Sequence, residues 1–496
     1  MLLLLACAGF NAEPEAPVEE PSTPAIQPVV IAVEDSQTIY LQATFRAGSA
    51  HDPDGFEGLA WVTSQLMRDG GSGDRSGEDL DTQLYGLGTD IEVIVDKELV
   101  TFRGKTLTSD LDAYLPLFTD MVTQPSFDET TFYRVMDDAR GYITTGVMDS
   151  DEGLGDTAFD TIVNAGHPYG HPLQGTVTGL DAITLEHVKG YYQSTFTLDN
   201  VTVGLSGAVD DALVLRYTDA MMALPAGTPN WRTPADQALF EGQNLMVVEK
   251  ATGVTGVHFG HPIEVNRNHD DFAALYLGTT ALGQHRESFG RLFTDMRTRR
   301  GLNFGDYAYI EHYVEVGRGP TQELGTVRLQ NQFMVWVRPV ATADAPFATK
   351  MALAMVEEWV NHGLTPKEFE TTRTHLTKRI SLWAQDPGRR LGYAVDAQAL
   401  GTPNLLETLP EQLAELEFTD VNAAIKRHID PSRFQIVVVT GDGGAYADAL
   451  LKQETTPMTY SSGQPDTTQL REDEDYAAFK VDPESWSVKS ANKVWD

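Results

Sequence analysis

Two close histidine pairs, "HFGH" (His258, His261) and "HPYGH" (His167, His171), are the residues of this chain whose types and spacing first suggest metal chemistry. Two imidazoles share an ion when they lie on one face of an element, as at a separation of four on a helix. His258 and His261 fall in a predicted strand, where a separation of three turns the rings to opposite faces. Pro168 and Gly170 exclude a regular helix between His167 and His171. Both pairs read as satisfied or exposed histidines rather than ligands. Ser64, in "GLAWVTSQLMRDGG" (58–71), has no evident His and Asp partners for nucleophilic catalysis. The run "DMRTRRGLNF" places Arg297, Arg299 and Arg300 in the last turn of a predicted helix. There they would offset the helix dipole ahead of Gly301.

The elements that must position these residues recur. "IYLQATFRAG" alternates Ile39, Leu41, Ala43 and Phe45 against polar neighbours, the pattern of a half-buried strand. "DGFEGLAWVTSQLM" follows with Phe56, Leu59, Ala60, Leu66 and Met67 at helical spacing, and Gly70-Gly71 suits its end. "IEVIVDKELVTFRG" reads as two short strands about a tight turn, "LDAYLPLFTDMV" as a helix, and "NVTVGLSGAVD" as a strand. The order then repeats: "NLMVVEKATGVTGVHFGHPIEV" matches the opening strands, "DDFAALYLGTTALGQ" the first helix, and "RFQIVVVTGDGG" the last strand. The expected fold is α+β, two homologous duplicated α/β domains, 28–224 and 238–455, with a Pro/Gly/Thr-rich linker at 225–237. Residues 456–496 read as an acidic C-terminal tail.

The 496 residues carry 36 Lys+Arg against 72 Asp+Glu, a formal net charge of −36, which argues against binding nucleic acid. Cys7 is the only cysteine, so no intramolecular disulfide can form. "MLLLLACAG" resembles the lipobox that ends a bacterial lipoprotein signal, and is too short to span a bilayer. Residues 1–7 are therefore expected to be a signal remnant with Cys7 lipidated. Residues 8–27, rich in Pro and Glu, are expected to form a disordered tether. The expected location is the bacterial cell envelope, lipid-anchored to the membrane and facing the periplasm.

Several blocks in order resemble the pitrilysin/insulinase-type zinc peptidases. They are "FRAGSAHDPDGFEGLAWVTSQLMRDGG", "GHPYGHPLQGTVTGLDAITLEHVKGYYQSTF", "GRLFTDMRTRRGLNFG" and "GLTPKEFETTRTHLTKRI". The resemblance implies two α/β domains of the pitrilysin/insulinase fold, half of a clamshell chamber for peptides. In that family the helix at 58–67 carries H-x-x-E-H, two zinc ligands and a general base. Here the positions hold Trp61, Ser64 and Gln65, and the third-ligand position, a Glu in the family, falls at Gly141–Tyr142. None of these can build a catalytic zinc site, so the expected metal and cofactor complement of this chain is none. In two-subunit members of the family, the second chain lends an Arg…Tyr pair to the first. The resemblance places Arg297 at the Arg position and Phe304 at the Tyr position, with Tyr307 nearby. Losing one oxyanion donor typically costs ~10²–10³ in rate.

Three functions follow from the resemblance. The chain is expected to be a non-catalytic subunit of a heteromeric zinc peptidase, binding peptides or unfolded protein segments, with zinc only in a partner subunit of the same family. The alternative is a peptidase-derived binding or scaffold protein with no proteolytic role. An active metallopeptidase on its own fits least, because the ligands are missing.

Overall fold

The computed structural model describes residues 26–229, 231, 237, 239–314, 322–452, 455–460 and 465–494. Cys7, the signal remnant and most of the tether lie outside the described residues, as do linker positions 230 and 232–236. Among the described residues no helix is long and apolar enough to cross a membrane.

Among the described residues eleven strands form two sheets. The first contains β1 (Val29–Ala32), β2 (Thr38–Phe45), β3 (Ile91–Val95), β4 (Val100–Leu107) and β5 (Val201–Gly207), in the order β1-β5-β2-β4-β3. The second contains β6 (Asn244–Glu249), β7 (Val254–Ile263), β8 (Asp306–Tyr309), β9 (Asn331–Ala341), β10 (Gln435–Thr440) and β11 (Ser485–Ser490), in the order β11-β6-β10-β7-β9-β8. Apart from β11, the two orders are one order used twice. In each, the first strand runs parallel to the last and the remaining neighbours are antiparallel. The duplication read from the sequence is thus present in register as well as in element order.

Each sheet buries one face on its own helices, giving a separate core to each domain. The other face is covered by a helix from the opposite domain. Helix Asp151–Val163, from the N-terminal half, packs on β7, β9 and β10. There Leu154, Ala158, Phe159 and Val163 join Met246, Val437 and Val439 in a third core. Helix Pro387–Leu400, from the C-terminal half, packs on β1, β2 and β5. Gly204 lets it approach: a Cβ there would lie 2.5 Å from Val395 Cγ2. This exchange explains why Gln42 and Thr44, expected on a solvated face of β2, are buried at 3% and 0% exposure. They hydrogen-bond along the covered face, Gln42 Nε2 donating to Thr44 Oγ1 at 3.1 Å.

The segment expected as an acidic tail also differs from its reading. Residues 467–477 form helix Thr467–Ala477, and β11 adds in parallel to β6 from Ser485↔Asn244 to Ser490↔Glu249. Weak hydrophobic patterning hid both, because the strand is mostly exposed and the helix docks through charge.

Candidate functional site

Helix Leu59–Asp69 starts where the Asp52 carboxylate accepts the N–H groups of Gly58 and Ala60, both at 2.7 Å. Leu59, Ala60, Leu66 and Met67 are buried, and the helix packs against helix Glu129–Gly141. Trp61 is half-buried and packs on the N-domain core. Ser64 is fully buried, and its hydroxyl donates to Ala60 O at 2.7 Å, a bond back to its own helix. Gln65 faces a shallow depression beside β3. Tyr142 is 41% exposed at the start of a π-helical turn, Tyr142–Gly146, and lines a different cavity, between the domains. The four positions therefore carry an indole, a self-bonded hydroxyl, an amide and a phenol, a set that offers no tetrahedral zinc donor shell.

Among the described residues one group of His and Asp atoms is close enough to hold an ion: His269, Asp271 and His428. It already functions as an ion pair. Asp271 Oδ2 lies 2.6 Å from His428 Nε2 and also pairs with Arg427. His269 Nδ1 accepts the Asp271 N–H at 3.0 Å, which spends its lone pair.

Among the described residues neither histidine pair converges on a common ion position. His258 and His261 sit on opposite faces of β7, His258 stacked on Trp336 and His261 on Phe434. His261 Nε2 accepts the Asp430 N–H at 3.0 Å. His167 Nδ1 accepts the Tyr169 N–H at 3.1 Å, and His171 Nδ1 pairs with Pro172 O at 2.9 Å.

Arg297 is exposed at the end of a second π-helical turn, Phe293–Thr298, where an α-helical last turn was expected. Its Nη1 donates to Phe304 O at 2.8 Å, and its guanidinium lies 4.7 Å from the Phe293 ring centroid. Phe304 beside it is 72% exposed. Tyr307 does not take the missing phenol's place. The β8–β9 pairing runs without a bulge through Tyr307↔Trp336, and Tyr307 is 2% exposed. Arg299 and Arg300 do not serve the helix dipole alone. Arg299 reaches Glu472 at 2.7 Å, and Arg300 reaches Asp473 at 2.7 Å and Glu472 at 3.0 Å, so they fasten helix Thr467–Ala477.

A buried charge cluster joining the domains was not foreseen. Arg328, 5% exposed, donates from Nε to Asp96 Oδ1 at 2.7 Å and from Nη1 to Asp160 Oδ1 at 3.0 Å. His312 Nε2 stands 3.4 Å from Asp96 Oδ2, and Lys97 Nζ donates to His171 O. Burial is the largest influence and opposes charge on Asp96 and Asp160, yet Arg328 and the neighbouring groups together hold both below the usual carboxylate range. Burial lowers His312 and His171 to about 4 and His258 to about 3, so these rings are neutral near pH 7. These groups border the interdomain cavity, of about 380 Å³. They come from the β3–β4 turn, helix Asp151–Val163 and the approach to β9, segments too far apart in sequence to suggest a site.

The duplicated α/β unit, with Trp61, Ser64 and Gln65 on its first helix, defines a chain of the peptidase fold. Residues 29–149 match the family described as Insulinase (Peptidase family M16), and residues 182–376 match Peptidase M16 inactive domain. The chain belongs to the M16 family, the insulinase/pitrilysin peptidases, and is of its inactive-domain type. An uncharacterized zinc protease of Streptomyces coelicolor is 24% identical over 256 residues, 50% of this chain and 54% of that protein. The chain thus spans about half the length of that relative. Among solved structures, a peptidase M16 inactive domain from Pseudomonas fluorescens superposes with a TM-score of 0.73 at 20% identity. That match covers 83% of this chain and 94% of the other. A chain of complex III from Candida albicans matches with a TM-score of 0.65 at 10% identity, covering 85% and 97%. These structural likenesses establish the fold.

Proposed function

We propose that this chain is the non-catalytic subunit of a heteromeric M16-type zinc peptidase. It completes a chamber and holds peptide for a zinc-bearing partner of the same family, lipid-anchored through Cys7 in the bacterial envelope. The observation that carries this reading is the contrast between two segments. The zinc positions hold Trp61, Ser64, Gln65 and Tyr142, whereas Arg297 stays exposed on the C-terminal domain, with Nη1 bonded to Phe304 O and its other N–H groups left to meet a carboxylate or carbonyl. Zinc belongs to the partner alone.

The test is peptide cleavage by the chain co-expressed with a zinc-motif relative from the same genome. Arg297→Ala is expected to lower kcat/KM about tenfold or more, the loss of one charge-assisted hydrogen bond. Unchanged turnover would remove Arg297 from the reaction.

A scaffold role is the second reading. It is favoured by Phe304, which lacks the hydroxyl that would stabilise an oxyanion, and by the bond that Arg297 makes to its own chain. A stable assembly of this chain that cleaves no peptide with any zinc-bearing relative would select it.

A further inference from the structure

The cavity between the domains has its own chemistry. Its volume of about 380 Å³ falls in the range of small-molecule sites. One wall is aromatic: Trp336 stacks on His258 with ring centroids 6.0 Å apart and on His285 at 6.2 Å, and Tyr309 and Tyr313 extend the surface. Helix Asp151–Val163, which packs on the strands carrying these rings, adds Asp156 to the lining.

Among the described residues that line the cavity, each charge but one has a partner of opposite sign. Arg328 and Lys97 answer Asp96 and Asp160. Glu152 is held by Arg338 at 2.8 Å. The rings of His171, His258 and His312 are neutral at pH 7, as their burial requires. Asp156 is half-buried and makes no hydrogen bond and no ion pair with any described residue; desolvation and the neighbouring Asp160 raise it to about 7 against the pull of Arg328. His258 is a second unsatisfied group. It is 2% exposed, its Nδ1 has no partner, and it stands against Gly155, where a Cβ would come within 2.5 Å. The glycine thus lets the helix pack directly against the His258 ring, and Asp156 lines the same cavity as His258 and Trp336.

A single surplus carboxylate in one cavity with a stack of aromatic rings is the arrangement that recognises an organic cation, through charge and through cation–π attraction. We propose that the interdomain cavity is a binding site for a monovalent organic cation, an ammonium or guanidinium on a short apolar body, with Asp156 as counter-ion and Trp336 as the platform. The site is independent of the peptidase-subunit reading, since it uses neither Arg297 nor the degenerate zinc helix.

Calorimetric titration of the full chain at pH 8 with butylguanidine, with neutral butylurea, and with an acetylated, amidated Gly-Gly-Arg-Gly-Gly peptide tests it. Saturable one-site binding of butylguanidine, with butylurea at least tenfold weaker, is expected. Binding of the peptide alone would also support the site and make a peptide side chain the source of the cation. Asp156→Asn is expected to weaken binding at least tenfold and Trp336→Leu at least threefold, and either variant that keeps the wild-type melting transition suffices. No saturable binding of either cation, equal binding of butylurea, or undiminished binding by folded Asp156→Asn would overturn the proposal.

Discussion

Replacing Arg328 by Met is expected to destabilise the chain by about 3–5 kcal/mol, the cost of removing one partner from a buried ion cluster. The reason is the environment of the two acids it leaves. Asp96 is 1% exposed, and Asp160 lies at the same interdomain seam with Arg328 as its cation. Without the guanidinium, two adjacent carboxylates must lose solvation with Lys97 as the remaining nearby cation, since His312 is neutral near pH 7. Because Asp96 and Asp160 belong to the N-terminal half and Arg328 to the C-terminal half, the loss falls on the domain interface. Arg328→Lys keeps the charge but cannot send two planar donors to two acids, so an intermediate loss is expected. Denaturant unfolding reads both. A loss below about 1 kcal/mol for Arg328→Met would mean that the helix exchange, not the cluster, holds the halves together. The acids' own contribution follows the usual sense for a depressed carboxylate. It is present above the unfolded value of 3.8 and lost as pH falls through their lower folded values.

Asp306 gives the opposite dependence and the second large effect. It is 0% exposed, its Oδ1 accepts from Asn303 Nδ2 at 2.6 Å, and its Oδ2 has no partner. Burial raises it from 3.8 to about 7. Between those values the native chain holds a proton that the unfolded chain has released, so this group costs stability as pH rises from 4 and levels off above 7. Relative to wild type, Asp306→Asn is expected to gain about 1.4 kcal/mol per pH unit across that window. The comparison must be made at each pH. The buried, neutral His171, His258, His261 and His312 act in the other direction over much of the same range, because unfolding lets them take up protons. A variant whose advantage does not change between pH 4.5 and 7.5 would show that Asp306 is already ionised in the fold.

What the sequence made legible was local. The departure from H-x-x-E-H could be read because that motif sits within one helical turn and a half, so Trp61, Ser64 and Gln65 can be judged without knowing the fold. The duplication could be read because strand and helix patterns recur in order, and both sheets follow one strand order. What joins the halves could not be read. The alternation in β2 pointed Gln42 and Thr44 toward solvent, and only the arrival of helix Pro387–Leu400 buries them. Tyr307, three residues along a strand from Phe304, could reach the same side only through a bulge, and its regular pairing with β9 commits it to the inner face. Arg299 and Arg300 had an adequate local explanation, which hid their partners Glu472 and Asp473 in a segment read as tail. Each failure is of one kind, a long-range partner replacing the solvent that a local pattern assumes.

The measurement closest to the central claim is zinc per tagged chain, determined both in the isolated chain and in the assembly purified from its native cells. The account predicts no zinc in the isolated chain and about one zinc per chain in the assembly, carried by a second polypeptide. An intact assembly without zinc, or zinc held by the isolated chain at the helix Leu59–Asp69, would contradict it.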